Sequence, residues 1–365
     1  MAVKKDLNTK KWYFYGKYYD PFLQKNKQYK RRGFDTKTEA KNAEAKFLES
    51  LNDELVGNIP MEKVIEEYYK YKEPEMKKSS YQSLRNKTDK HILPYFKDMG
   101  IMNIKARDIK NWKEHMNTKG LSLKYRKDIF DMLSSIFKFS NRIYGINNNS
   151  CLAEGNFKDP MEHIKEMEFW TLDEFLKFDA VVDNHEYRTF YNFLYWTGCR
   201  KGEAQALNWN DFTEGFKSVK IRKTINMKIT GQAYEITPPK TACSNREIPL
   251  PKQLILLLQE HYNNMCVFDG FNKNCFVFGF NAPLSNTTVE RKKNEWCKIA
   301  DVKQIRLHDF RHSHASFLIS NSPNDKNLIL AISKRLGHSS PNTTLRVYAH
   351  MMPDDNDKIL DMLNI

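Results

Sequence analysis

Two turn-rich breaks, Gly57-Asn58-Ile59-Pro60 and the polar stretch 146–165, cut this chain of 365 residues into three parts with different periodicities. A chain of this length exceeds what one hydrophobic core usually holds, so two or three domains are expected. Before the first break, KWYFYGKYY (11–19) has the aromatic content of a strand. Pro21 to Lys27 reads as a turn and KQYKRRGF (27–34) as a second strand. Thr36 or Thr38 then caps a helix running to about Ser50, with Ala40, Ala43, Phe47 and Leu48 near one face. Residues 1–55 thus form a small sheet-plus-helix module, an accessory domain by size.

After the first break the period changes. Met61, Val64, Ile65, Tyr68 and Tyr69 follow the i, i+3, i+4, i+7, i+8 spacing of an amphipathic helix. Further helices are expected at about 79–91, 106–118 and 122–144, the last with Ile129, Leu133, Ile136 and Phe137 as its apolar stripe. Residues 60–150 therefore read as an all-α bundle of four or five helices.

Beyond the second break, Thr171 and Glu174 form a capping box. Helices near 186–196 and from about 200 follow, then strand-like KSVKIRKTI (217–225), AYEIT (233–237) and REIPL (246–250), then helices to the C-terminus. The whole chain is an α+β multidomain protein. Its third part, 165–365, is mainly α with a small antiparallel sheet.

Charge divides along the same lines. Residues 1–59 hold 13 Lys and Arg against 8 Asp and Glu, residues 60–155 hold 19 against 12, and the remainder 27 against 25. The net charge of +14 thus sits almost wholly in the first 155 residues. Surfaces that bind nucleic-acid phosphates need such an excess, because counterion release supplies much of the affinity. Segment 4–37 concentrates it, with 11 basic and 3 acidic residues interleaved with Trp12, Tyr13, Tyr15, Tyr18 and Tyr29. Trp12, Tyr13, Tyr15, Lys17, Lys30, Arg31 and Arg32 are the candidate DNA contacts of this module. No run of about 18 apolar residues offers a membrane span, and no apolar run follows the N-terminal lysines as in a secretory signal. The six cysteines are scattered with no CxxC pair, as expected of reduced thiols in a cytosolic protein.

Four segments of the third part gather polar residues that a core would not need. In TGCRKGEA, Arg200 and Glu203 lie three apart; in LHDFRHSHAS, His308 and Arg311 do the same. In LGHSSPNTTLRVYAH, His338 follows Gly337 and Tyr348 comes ten residues later. In ITPPKTACSNREIPL, Lys240 lies in a Pro-rich connection between strands. Phosphoryl transfer needs positive donors on the non-bridging oxygens, an in-line nucleophile and an acid for the leaving oxygen. Two arginines clamp a phosphate bidentately, histidines move protons, a lysine protonates a leaving 5′ oxygen, and tyrosine gives a reversible covalent step. His308, His312 and His314 also invite a metal site, but HExxH and added carboxylate ligands are absent.

Taken in order, these segments resemble the tyrosine recombinase (phage integrase) family, whose catalytic domain carries Arg in a TGxRxxE box, Lys on a β-hairpin, HxxR in an LHDLRHT-like box, His or Trp after LG, and Tyr shortly after. The resemblance covers about 170–352 specifically. The helical part matches the family's core-binding (SAM-like) domain in position and type, and residues 1–55 resemble the arm-binding domains of phage and transposon integrases.

The resemblance implies catalytic roles for Arg200, Lys240, His308, Arg311, His338 and the nucleophile Tyr348, with Glu203 in support. Hairpin length varies in the family, so Lys223 or Lys228 could replace Lys240. It implies two domains clamping a core site of double-stranded DNA, an N-terminal module on arm-type sites, and a homotetramer at synapsis. It further implies a 3′-phosphotyrosine intermediate with no metal or nucleotide cofactor, a bacterial, cytoplasmic, nucleoid-associated setting, and a host DNA-bending protein and an excisionase as partners. A type IB topoisomerase shares the chemistry, but the arm-like module and helical domain argue against it. A catalytically idle DNA-binding protein would lack part of the residue set. After Pro353 the acidic PDDNDK leads into Ile359, Leu360, Met362, Leu363 and Ile365, a tail expected to pack either on its own domain or on a neighbouring protomer.

Overall fold

The computed structural model describes residues 2–20, 25–57, 59–145, 149–159, 167–227, 233–239, 242–321 and 326–348. The chain divides into two compact units, 1–163 and 164–365.

The first unit opens with an antiparallel sheet ordered β1 (Ala2–Lys5), β2 (Trp12–Asp20), β3 (Lys25–Phe34), followed by helix α1 (Lys37–Gly57). The two long strands fall where the aromatic and basic runs predict them; β1 adds a third that the short, basic MAVKK did not signal. Thr36 caps α1, its hydroxyl accepting from the Glu39 amide at 3.1 Å. Phe14 is fully buried, and its ring meets those of Tyr29, Phe34 and Phe47.

Among the described residues six α-helices follow: α2 (Met61–Lys72), α3 (Lys78–His91), α4 (Leu93–Phe96), α5 (Ala106–Asn117), α6 (Leu123–Tyr144) and α7 (Ser150–Glu154). The predicted stripes are their buried faces: Met61, Val64, Ile65, Tyr68 and Tyr69 from α2 meet Ile129, Leu133, Ile136 and Phe137 from α6 in one core. Trp112 is buried there, its indole N–H donating to the His91 carbonyl at 2.9 Å. The second break is not structureless throughout. Asn149 caps α7, the Ser150 hydroxyl donates to the Ile104 carbonyl at 2.6 Å, and Cys151 is buried.

The second unit begins with α8 (Leu172–Val181), α9 (His185–Thr197) and α10 (Lys201–Gln205). The Thr171–Glu174 capping box is formed in both directions, at 2.8 and 3.3 Å. Four short strands come next: β4 (Ser218–Ile221), β5 (Thr224–Asn226), β6 (Glu235–Thr237) and β7 (Arg246–Pro249). They make two antiparallel ladders, β4 with β7 and β5 with β6. The run 217–225, read as one strand, is in fact broken after Ile221. Lys223 turns aside there, tied to Asp211 by an ion pair of 2.9 Å and to the Asn208 side chain by a hydrogen bond. The fold ends with α11 (Lys252–Cys266), α12 (Asn286–Ile299), α13 (Asp309–Ser320), α14 (Lys326–Leu336) and α15 (Pro341–Tyr348). The core is aromatic, with Trp170, Phe178, Tyr191 and Phe310 ring against ring. α9 and α13 lie in contact within it, and Arg311 in the first turn of α13 reaches the Gly198 carbonyl where α9 ends. The predicted C-terminal tail, 353–365, lies outside the described residues.

Candidate active site

The first box begins where α9 stops. Gly198 closes that helix in the left-handed region (φ +66°), and a Cβ there would lie 2.7 Å from both His314 Cδ2 and Leu336 Cδ2, so only glycine fits. Two residues on, Arg200 is extended and caps α10. Glu203, one turn in, accepts the Arg200 amide at 3.0 Å and pairs with Arg200 Nη1 at 2.8 Å. Its carboxylate is nearly inaccessible (3% exposed) while Arg200 remains 40% exposed toward solvent. Burial resists the charge on Glu203. The Arg246 hydrogen bond and the charges of Arg246 and Arg200 outweigh it, so the carboxyl titrates below its ordinary range.

Arg246 is the residue that sequence reasoning missed. It starts β7, with Nη2 2.8 Å from Glu203 Oε2 and Nε 2.7 Å from the Arg335 carbonyl. Its only sequence signal was a charge beside an apolar strand, where a solvent-facing residue is the default.

The second box sits at the start of α13. Asp309 accepts the Arg306 amide at 2.7 Å and pairs with its guanidinium at 2.8 Å, tightening the turn that carries His308. One turn later Arg311, 3% exposed, donates Nη1 to the Gly198 carbonyl at 3.0 Å. Its Nη2 is buried with no partner among the described residues. Burial first, then the charges of Arg200 and Arg246, pull the Arg311 pKa down to about 10. At neutral pH it stays charged and carries an unmet demand for an anion. Burial, followed by the Arg311 charge, also lowers His308.

Burial likewise pushes His312 and His338 to about 4 and His314 to about 3, so these imidazoles are neutral at pH 7. His314 is used structurally: its Nε2 accepts from Arg335 Nε at 3.1 Å. Among the described residues no group of three His, Cys, Asp or Glu side chains is placed to hold a metal ion.

The third box is a helix stop with a purpose. The Gly337 amide bonds the Lys334 carbonyl at 3.0 Å and the His338 amide bonds the Ser333 carbonyl at 3.0 Å, the paired bonds of a Schellman ending with Gly337 at φ +70°. The reversal delivers His338 to a cleft of about 450 Å³ that Arg200, Glu203, Thr224, Ser244 and Thr343 also line. His338 Nδ1 hydrogen-bonds the hydroxyl of Thr344, which is fully buried, at 2.8 Å. Tyr348 is the last residue of α15.

Arg200, Glu203 and His338 thus share one cleft, and Arg311 and His308 are electrostatically coupled to it. Lys240 and Lys228 lie outside the described residues, although Pro239 lines the cleft. Lys223, the other alternative, is committed to Asp211 and Asn208.

Strand alternation sorts the candidate DNA contacts of the N-terminal sheet. The register sets Tyr13 opposite Arg32, Tyr15 opposite Lys30 and Lys17 opposite Gln28 on the face away from α1. Lys30 Nζ stands 4.7 Å from the Tyr13 ring centroid and Lys4 Nζ 5.4 Å from that of Tyr15. Trp12 and Arg31 are on the other face: Arg31 lies over Phe47 and Lys37 over Trp12, both against α1.

Comparison with known proteins matches three family descriptions to the chain: "Phage integrase family" over residues 166–354, "Phage integrase, N-terminal SAM-like domain" over 61–117 and "Arm DNA-binding domain" over 2–51. The ICEBs1 integrase of Bacillus subtilis is 30% identical, with 90% of each chain covered. The tyrosine recombinase XerC-like protein of Caldanaerobacter subterraneus is 25% identical over 76% of each. Among solved structures, the Tn1549 transposon integrase in complex with transposon right-end DNA shares the fold at a TM-score of 0.67 and 19% identity. The match covers 84% of this chain and 99% of that one. A lambda integrase tetramer bound to a Holliday junction gives 0.58 and 16%, covering 93% and 96%.

Proposed function

Because the chain belongs to the phage integrase family and is a tyrosine recombinase, we propose that Tyr348 attacks a DNA phosphate held between Arg200 and Arg311. The phenolic oxygen forms the new P–O bond, the bond to the 5′ oxygen breaks, and the DNA is left as a 3′-phosphotyrosine with a free 5′ hydroxyl. That hydroxyl, on a partner strand, reverses the step and joins the exchanged ends, so bond energy is conserved.

The observation that carries this reading is the unpartnered, buried Nη2 of Arg311 beside the Arg200–Glu203 pair. Three guanidiniums (Arg200, Arg246, Arg311) face one carboxylate, Glu203, and a phosphate supplies the missing negative charge. His308 and His338, neutral before DNA arrives, are suited to take and return protons. Lys240 is the proposed donor to the leaving 5′ oxygen. Its neighbour Pro239 lines the cleft, while Lys223 is engaged elsewhere.

The three family matches support a division of labour: residues 1–55 on arm-type sites, 60–150 on the core site, and 165–365 for chemistry. The substrate is double-stranded DNA at the ends of a mobile element, integrated and excised by a homotetramer. The same reading puts the protein on the bacterial nucleoid. No helix among the described residues is long and apolar enough to cross a membrane.

The test uses a duplex spanning the element's own end, nicked beside the cleavage position so that the 5′ fragment is lost. The unaltered protein is expected to remain attached to that DNA through denaturing electrophoresis, and to join two unnicked duplexes of the same sequence. Tyr348→Phe is expected to bind the duplex and form no adduct. Relaxation of supercoils without joining would overturn the recombinase assignment, and an adduct with Tyr348→Phe would overturn the nucleophile.

A further inference from the structure

Arg246 stands outside the six residues given catalytic roles, yet all three of its side-chain nitrogens are engaged. Its side chain is 6% exposed. Nη2 and Nη1 hold the two Glu203 oxygens at 2.8 and 3.3 Å, and Nη1 also donates to the Ser244 carbonyl at 3.1 Å. On its other edge, Nε donates to the Arg335 carbonyl at 2.7 Å. Arg335 is two residues before Gly337, whose missing Cβ would lie 3.1 Å from both Arg246 Cδ and Nη1. The guanidinium is therefore packed against the backbone where α14 ends and His338 enters the cleft.

One rigid plane thus touches two separate segments, the one holding Glu203 and the one that turns at Gly337. Through Glu203 it fixes Arg200, half of the phosphate clamp. Through the Arg335 carbonyl and Gly337 it fixes the segment that continues to His338, Thr344 and Tyr348. We propose that Arg246 is a positioning residue that sets the phosphate clamp in register with the segment carrying the nucleophile. The proposal rests on the recombinase reading. A counter-charge for Glu203 would need only the fork edge. The Nε bond and the close fit on Gly337 serve no such purpose, and lysine, with a point charge on a flexible stem, cannot reproduce both edges.

The experiment compares Arg246→Lys with the unaltered protein on the nicked element-end duplex, reading the Kd for DNA and the single-turnover rate of covalent attachment. Affinity is expected to hold within about twofold, while attachment slows by about tenfold or more, the range of coupling between residues in one network. Hydrogen exchange at the Gly337 and His338 amides is expected to quicken. A second comparison, Glu203→Gln against Glu203→Gln/Arg246→Gln, removes the carboxylate's charge from both proteins and serves also if Arg246→Lys does not fold. A further loss of rate in the double variant supports positioning. Equal rates there, or an unchanged rate in Arg246→Lys, overturn it and leave the recombinase reading standing. Absence of any adduct from the unaltered protein overturns both.

Discussion

His338 Nδ1 lies 2.8 Å from the hydroxyl of Thr344, joining an imidazole in the cleft to the helix that ends, one turn later, in Tyr348. Thr344 is fully buried, so the bond is shielded from water. Thr344→Val keeps the shape and removes the hydroxyl, stranding a ring nitrogen at a cost of about 1–3 kcal/mol. Covalent attachment to a nicked duplex is expected to slow by about tenfold or more with DNA affinity unchanged. Equal single-turnover rates would show that the bond does not align the helix.

Replacing Arg200 or Arg311 by lysine preserves charge and loses the planar fork. For Arg311 the loss is double, since Nη1 also holds the Gly198 carbonyl. Cleavage is expected to fall by roughly 10²-fold or more in each, by analogy with a lost transition-state donor, while filter binding to the same duplex changes little. Near-normal cleavage in both variants would reject the clamp.

The buried imidazoles make stability depend on pH. His312 and His338 titrate near 4 and His314 near 3, against an ordinary 6.5. Between pH 6.5 and about 4 the unfolded chain therefore takes up protons that the folded one refuses. The histidine contribution is fully present above 6.5 and is lost as pH falls. Asp309 and Glu203, held below their ordinary values, add their own loss only at still lower pH. Calorimetry of the DNA-free protein is expected to show the melting temperature dropping by roughly 5 °C or more from pH 7 to 5. A flat profile would mean these rings are charged in the fold.

The N-terminal sheet gives a test by sidedness. Lys30→Ala and Arg32→Ala, on the open face, are each expected to weaken binding to element-end DNA and to reduce the salt slope by about one. Arg31→Ala, against Phe47, is expected to leave affinity and slope alone and cost about 0.5–1 kcal/mol of stability. Equal effects from all three would mean the sheet does not use one face.

Sequence alone revealed what repeats along the chain and hid what depends on distant partners. The stripes of α2 and α6, the Thr171–Glu174 box and the segments that mark the family were legible because each is written within a turn or two of helix. Arg246 was not, because its meaning comes from Glu203, 43 residues earlier, and from a backbone carbonyl at Arg335. The break between β4 and β5 was hidden for the same reason: it depends on Lys223 finding Asp211 and Asn208. Arg31 and Lys30 are neighbours of like charge that alternation puts on opposite faces, and only the packing on Phe47 of α1 tells which face is covered.

That separation has an evolutionary consequence. Odd positions of β2 (Tyr13, Tyr15, Lys17) and even positions of β3 (Lys30, Arg32) meet the outside while Phe14 and Tyr29 hold the helix. Every second codon of these strands is thus at liberty to drift without loosening the fold. A lineage of such elements could retune which end sequences it reads by point changes on one face, moving to new hosts while the cutting machinery downstream stays as it is.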